Sequence, residues 1–210
     1  MVTEALRAGV ELDLLAVREG DKSPVRGPRL TFTRELFEKV SQTTTPQGVI
    51  AIAKVPERSI ADAIAAAHAA HWPLVVLDRV QDPGNVGAIC RTAAAAGAPA
   101  LAVLAGTADP YGAKAVRASA GNVFRLVVAQ AKWNDLSGLD AYGAASEGGM
   151  SLAEAPVENA RMIVFGSEAH GLSRSDLKLV TIPIEDGVES LNVAAAAAVI
   201  LFEIRRRTVA

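Results

Sequence analysis

The chain has 210 residues, half of them apolar, with a formal net charge of −2 at pH 7 and an isoelectric point near 5.9. This charge balance excludes a protein that coats nucleic acid through a general basic excess, so any such contact must be local. The longest apolar run is far shorter than the ~20 residues of a membrane span, no secretory leader opens the chain, and a single cysteine excludes an internal disulfide. We therefore expect a globular protein of the cytoplasm.

Residues 1–55 are predicted to form a small α/β unit. Apolar spacing predicts helices over 2–9 and 34–41 and strands over 12–17 and 49–55, with a loop at 20–28. A basic strip in and beside that loop contains Lys22, Arg26, Arg29 and Arg34, with no acidic residue among them. Such a strip suits contacts with phosphates, and the alternative is an ordinary solvated surface.

Residues 56–72 predict a helical connector, and a second domain is predicted over 73–210. In that domain we predict a loop at 142–149 and strands at 74–77, 100–104, 123–128, 162–165 and 180–184, separated by helical stretches. Strands separated by helices are typical of a parallel sheet that is covered on both faces.

Three polar or glycine-containing segments follow strands of this second domain. They are Asp-Pro-Gly-Asn-Val-Gly at 82–87, Gly-Ser-Glu-Ala-His-Gly at 166–171 and Glu-Asp-Gly-Val-Glu-Ser-Leu-Asn at 185–192. In doubly wound sheets, ligands bind at the carboxyl ends of the strands. The three segments therefore predict one ligand site, and the pattern by itself indicates a nucleotide without naming it.

The first segment predicts a turn and the start of a helix, with Asn85 as its N-cap. Gly87 lies one helical turn before Arg91 on the same face, which predicts an opening for a ligand beside that arginine. The alternative is a capped helix with a surface arginine.

The second and third segments carry further polar side chains. Glu168 would place a carboxylate at the rim of the sheet, and the alternative is a strand-to-helix turn capped by Ser173. Ser190 and Asn192 precede a helix that begins with a run of alanines and ends in three arginines, which are favourable cations at a helix C-terminus.

In this order, the three segments resemble the signature of the SpoU/TrmH family, the knotted RNA 2'-O-ribose methyltransferases of the SPOUT superfamily. The resemblance rests on Asp82-Pro-Gly-Asn-Val-Gly-Ala-Ile-Cys-Arg-Thr-Ala93, on Phe165-Gly-Ser-Glu-Ala-His-Gly-Leu172, and on Thr181-Ile-Pro-Ile184 followed by Glu189-Ser-Leu-Asn-Val193. It covers about residues 73–207. It implies an α/β fold with a parallel sheet, helices on both faces and a C-terminal trefoil knot over about 165–193. A small RNA-recognition domain would precede it, beginning about one strand and one helix later than in relatives.

The resemblance also implies a cofactor and a set of site residues. S-adenosylmethionine would be held largely by main-chain groups of Gly166, Ile182 and Leu191. The family assigns activation of the ribose hydroxyl to the arginine at Arg91, with support from Asn85, Glu168, Ser190 and Asn192. Since a guanidinium with a pKa above about 12 is a poor proton acceptor, we expect Arg91 to orient the hydroxyl and stabilise developing negative charge.

The partners implied by the resemblance are RNA and a second copy of the chain. Ribosomal RNA is the favoured substrate, and the alternatives are transfer RNA or a non-catalytic RNA-binding or assembly factor with the same fold. A homodimer packed through helices is compatible with the small and apolar residues at 194–202. Lys114 and Arg117 offer a second track for RNA. No metal site is expected, because His68 and His71 lack a cysteine or carboxylate at ligand spacing.

Overall fold

Two units, Met1–Pro56 and Glu57–Ala210, make up the chain in the computed structural model. The structure describes residues 1–21, 28–41 and 46–208. No helix within these ranges is long and apolar enough to cross a membrane.

The first unit is a three-stranded sheet with two short helices. Its elements are α1 (Val2–Arg7), β1 (Leu12–Arg18), β2 (Arg29–Phe32), α2 (Arg34–Val40) and β3 (Val49–Ala53). β1 is central, parallel to β2 and antiparallel to β3. The predicted helices and the strands β1 and β3 are confirmed. β2 was not predicted, because its four residues lie in the segment that was interpreted as a basic strip.

The second unit is built on a seven-stranded sheet. Its elements are α3 (Ile60–Ala69), β4 (Leu74–Asp78), α4 (Pro83–Ala96), β5 (Ala100–Leu104), α5 (Ala113–Ala118), β6 (Val127–Ala131), β7 (Ala141–Ala145), β8 (Met150–Ser151), β9 (Met162–Gly166), β10 (Lys178–Thr181) and α6 (Val193–Thr208). The strand order is β6-β5-β4-β9-β7-β10-β8, and each paired register is parallel.

The core of this unit lies on both faces of the sheet, as predicted. Every residue of β4, β5 and β9 is buried, as expected of central strands in a parallel sheet. On one face, Ile89 of α4 and Leu201 of α6 pack against residues such as Phe165. On the other face, the alanines Ala63 and Ala67 of α3 allow that helix to lie close to the strands.

Three predictions about this sheet were wrong in detail. The segment predicted as a loop at 142–149 contains β7, an interior strand. Its sequence, Ala-Tyr-Gly-Ala-Ala, has no β-branched residue, and Gly143 leaves room for the side chain of Leu172, whose Cδ1 would lie 2.4 Å from a Cβ at this position. The strand that was predicted at 123–128 begins later, as β6 at Val127–Ala131. A 3-10 helix over Asn122–Arg125 precedes it. The strand that was predicted at 180–184 is β10, which ends at Thr181, before Pro183.

The arginines that end α6 do more than favour its C-terminus. Arg207, with a side chain only 15% exposed, forms ion pairs with Glu203 at 2.7 Å and with Glu158 at 3.0 Å. It also donates to main-chain carbonyl oxygens, at 2.5 Å to Leu152, 2.6 Å to Ala155 and 3.2 Å to Ala153. This side chain therefore ties the end of α6 to the segment between β8 and β9.

Candidate active site

The first helix of the site, α4, begins differently from the prediction. Asp82 is its N-cap residue and Pro83 occupies the first helical position, so Asn85 lies within the first turn rather than at the cap. The Asp82 carboxylate accepts a hydrogen bond from Lys114 Nζ at 2.7 Å. That bond, together with the Gly84 N–H, lowers the pKa of Asp82. Lys114 is thus already paired with a carboxylate.

The predicted opening beside Arg91 is filled by another helix. A Cβ on Gly87 would lie 2.3 Å from the main-chain oxygen of Ala115 and 2.6 Å from Ala118 Cβ, both in α5. The expectation that a ligand approaches Gly87 was therefore wrong. Gly87 has no side chain because α4 and α5 are in close contact there.

Three of the predicted site residues form one hydrogen-bonded cluster. Asn85 Nδ2 donates to Glu168 Oε1, and Asn85 Oδ1 accepts from Asn192 Nδ2 at 3.2 Å. Asn192 Oδ1 in turn accepts the N–H groups of Ala194 and Ala195 at 2.9 and 3.3 Å, so it caps the start of α6. The cluster joins the first turn of α4, the turn after β9 and the segment before α6.

The turn that carries Glu168 depends on glycine. Ser167 and Gly171 exchange main-chain hydrogen bonds of 3.1 and 2.8 Å, and Gly171 has a φ of 62°. A Cβ on Gly166 would lie 2.5 Å from the carbonyl carbon of Gly171. Position 166 therefore has no room for a side chain, because the turn that follows it folds back over this residue.

A buried carboxylate that the sequence interpretation missed anchors the loop after this turn. Asp78, the last residue of β4 and almost fully buried, accepts the Ser173 N–H at 2.5 Å through Oδ2. Ser173 Oγ accepts from Trp133 Nε1 at 2.9 Å. The alternative of a helix capped by Ser173 was wrong, because the loop leads directly to β10. The available signal was a carboxylate at the end of an otherwise apolar strand.

The third segment and the residues just before it provide an apolar side chain and exposed polar groups near the cluster. Ile182 is half-buried against the core, whereas Ser190 and Leu191 are exposed. Within the described ranges, neither the Ser190 side chain nor the main chain of Leu191 forms a hydrogen bond. The structure thus leaves main-chain donors and acceptors of this segment open to a ligand.

Arg91 lies apart from the hydrogen-bonded cluster. It follows Asn85 by six helical residues, which places it about 9 Å along the helix axis and about 120° around it. Its side chain is exposed, and no hydrogen bond or ion pair joins it to any residue that the structure describes. Its guanidinium is therefore available to a substrate.

The predicted RNA-binding residues are dispersed. Lys22 and Arg26 lie outside the described residues. Arg29 is exposed on β2, Arg34 is exposed at the first position of α2, and Arg117 is exposed on α5. In the described part of the chain, no group of three or more histidine, cysteine, aspartate or glutamate residues could hold a metal ion.

Known proteins that are similar to this chain are RNA methyltransferases. A 23S rRNA (guanosine(2553)-2'-O)-methyltransferase of Bacillus subtilis is 33% identical over 185 residues, which cover 83% of this chain and 71% of the relative. The crystal structure of the SpoU methyltransferase AviRb from Streptomyces viridochromogenes, in complex with AdoMet, matches with a TM-score of 0.85 at 26% identity, over 99% of this chain and 87% of that one. An AdoMet-bound rRNA methyltransferase from Sinorhizobium meliloti matches with a TM-score of 0.82 at 27% identity, over 98% and 84% of the two chains.

The family assignment follows from the extent of the match. The model of the SpoU rRNA Methylase family matches residues 73–202, which include all three segments of the site and the sheet that positions them. The chain therefore belongs to the SpoU family of RNA methyltransferases.

Proposed function

We propose that this protein transfers a methyl group from S-adenosylmethionine to a ribose 2'-hydroxyl of ribosomal RNA. The observation that carries the proposal is the hydrogen-bonded cluster of Asn85, Glu168 and Asn192. It joins three segments, distant in the sequence, at the carboxyl rim of a parallel sheet, where ligands of such sheets bind.

The residues of the rim fit S-adenosylmethionine. Gly166 ends β9 at the rim, Ile182 offers an apolar surface, and the main chain of Leu191 forms no hydrogen bond with a described residue. A donor bound through main-chain groups does not need charged side chains. When bound, S-adenosylmethionine supplies the electrophilic methyl group.

The polar residues have separate roles in this proposal. Asn85, Glu168 and Asn192 satisfy one another, so they act by holding the three segments in place. Ser190, two residues before Asn192, is free to contact the ligands. Arg91 is exposed and forms no hydrogen bond or ion pair with a described residue, and in this proposal it orients the ribose hydroxyl and stabilises the negative charge that develops on its oxygen.

The path of the chain supports a trefoil knot over about 165–193. β7 lies between β9 and β10 in the sheet, so the segment 167–177 must cross β7 to connect them. It does so on the α3 face, where Leu172 lies against Gly143. The chain then continues to α6, which packs on the opposite face against α4.

The transfer reaction is tested with labelled S-adenosylmethionine and RNA transcribed in vitro, which carries no modification. We expect the label to enter 23S ribosomal RNA at a single nucleotide and to protect the adjacent phosphodiester bond from alkaline cleavage, since that cleavage needs a free 2'-hydroxyl. Label in a base would refute ribose transfer, and label in transfer RNA alone would refute the choice of substrate. Binding of both ligands without transfer would identify a non-catalytic RNA-binding factor.

We also propose that the protein is a homodimer that packs through α6. One face of this helix buries Ile200, Leu201 and Ile204 in the core, whereas Val199 and Phe202 point outward and are exposed. Together with Ala195 they form an apolar stripe at helical spacing, and a second copy of the same helix is complementary to it.

Replacing Phe202, which is 47% exposed, with glutamate should convert the dimer to a monomer, because it would place a charge in an apolar contact. Sedimentation equilibrium measures the change. Met150→Glu is the matched control, since Met150 is 49% exposed on the edge strand β8 and should leave the dimer intact. A wild-type monomer, or a dimer that survives Phe202→Glu, would refute this interface.

The unit Met1–Pro56 would contribute RNA recognition through the basic strip Lys22, Arg26, Arg29 and Arg34. Arg29 and Arg34 are both exposed, and no ion pair joins either one to another described residue. Cations without internal partners are suited to release counterions on binding phosphates. In the second unit, Arg117 of α5 is exposed in the same way, whereas Lys114 would have to leave Asp82 first.

A further inference from the structure

Arg79 occupies a position at the rim that none of the three motifs includes. It directly follows β4, whose last residue, Asp78, pairs in register with Gly166 of β9. Arg79 therefore lies at the level of Ser167, one residue from Glu168 and the hydrogen-bonded cluster. A side chain at this position is adjacent to the site.

The backbone of Arg79 adopts a conformation that disfavours a side chain. Its φ is 61°, in the left-handed region, where glycine is favoured. Neighbouring groups hold it there: the Arg79 N–H donates to Thr107 Oγ1 at 2.9 Å, and Thr107 Oγ1 donates to the Leu77 carbonyl at 3.0 Å. Strain of this kind is concentrated at functional sites. An arginine at a position suited to glycine therefore calls for a reason in its side chain.

Asp78 orients the guanidinium of Arg79, but the N–H donors of this group have no acceptor among the described residues. Its Nε is buried and lies 3.6 Å from Asp78 Oδ1, and no hydrogen bond to any described residue satisfies it. Asp78 uses its other oxygen to hold the Ser173 N–H. The Arg79 side chain is 38% exposed, and its terminal nitrogens have no partner in the described ranges. Asp78 thus orients the planar guanidinium so that its terminal N–H donors face outward at the rim.

We propose that Arg79 binds a phosphate of the substrate RNA beside the target nucleotide. The proposal rests on the function proposed above. A planar guanidinium matches two phosphate oxygens at once, which a lysine ammonium does not. Binding a phosphate there would fix the register of the RNA strand, and the contact explains why arginine is kept where glycine would be less strained.

The test is Arg79→Gly in the full-length protein, with Arg161→Ala as a control. Arg161 is an exposed arginine just before β9, at the opposite end of the strands. Arg79→Gly should leave the melting temperature unchanged or raise it, because glycine relieves the strain. It should also raise KM for unmodified 23S ribosomal RNA several-fold, and lower the log-log salt slope of RNA binding by about 0.7. Affinity for S-adenosylmethionine should stay unchanged. Arg79→Lys should recover RNA binding only in part.

Two results would overturn the proposal. A lower melting temperature for Arg79→Gly would make the side chain a structural element, and an unchanged salt slope would remove the phosphate contact. Failure of the proposed function is seen separately, in the wild-type protein, as RNA binding without ribose methylation. In that case a reduced slope in Arg79→Gly would still support the contact.

Discussion

Arg91→Ala is expected to lower the rate of methyl transfer about 100-fold or more while the affinity for S-adenosylmethionine stays at the wild-type level. The expected size is that of one preorganised electrostatic group acting on the transition state. Arg91 is separated from the cluster that joins the three segments, so its removal should not disturb the donor pocket. Calorimetry measures donor affinity, and single-turnover transfer to unmodified ribosomal RNA measures the chemical step.

Two further variants sharpen the test of Arg91. Arg91→Lys should restore little activity, because a compact ammonium cannot reproduce the planar fork. Arg161→Ala removes another exposed arginine, at the opposite end of the strands, and should transfer at the wild-type rate. Wild-type turnover in Arg91→Ala would exclude this residue from the mechanism. A loss of donor affinity equal to the loss of rate would instead assign it to the donor.

Arg207→Ala is expected to lower the free energy of unfolding by about 2 to 3 kcal/mol. The substitution would leave main-chain carbonyls and two carboxylates without their shared donor in a mostly buried place. Arg206→Ala is the matched control. Arg206 is 69% exposed and, among the residues that the structure describes, pairs with Glu203 alone, so its loss should cost at most about 0.5 kcal/mol. Urea denaturation of the three proteins at pH 7 measures the difference, and equal stability of both variants would contradict the role of Arg207.

The ion pair between Arg207 and Glu203 also predicts that the stability of the protein depends on pH. Hydrogen bonds from Arg206 and Arg207 lower the pKa of Glu203 from 4.5 to about 2. Since the pKa is lower in the folded state, this stabilisation is present above about pH 4.5 and is lost as the pH falls toward about 2. In Arg207→Ala the decline over this range should be shallower. If the stability of Arg207→Ala declines as steeply as that of the wild type, other carboxyl groups dominate the loss of stability at low pH.

The sequence was sufficient to predict the parallel sheet and the convergence of segments from the three motifs at one of its edges. β4 and β9 are continuous apolar runs, a pattern typical of strands buried on both faces. Because the carboxyl ends of parallel strands meet at one edge, the segments containing Asn85, Glu168 and Asn192 could be expected to converge, and the structure joins them.

The remaining features depend on contacts between distant residues, which local patterns do not reveal. β7 has no β-branched residue, and its place inside the sheet involves a contact with a distant residue, since Gly143 leaves room for Leu172. Gly87 has no side chain because α5 lies directly against it. Arg207 has a structural role because it donates to main-chain carbonyl groups about fifty residues earlier in the sequence. Arg79 is another such case, since its left-handed backbone conformation and its buried Nε beside Asp78 are visible only in the structure.

The bond between Asn192 and Asn85 spans 107 residues of sequence. During synthesis, the first of these residues leaves the ribosome long before the second, so the sheet and α4 can fold while the site is still incomplete. Asn192 can reach Asn85 only after the whole segment between them, including β5 to β10, has been made. The hydrogen-bonded cluster therefore closes late in the folding of the second unit, after the elements that carry Asn85 and Glu168 can already be in place.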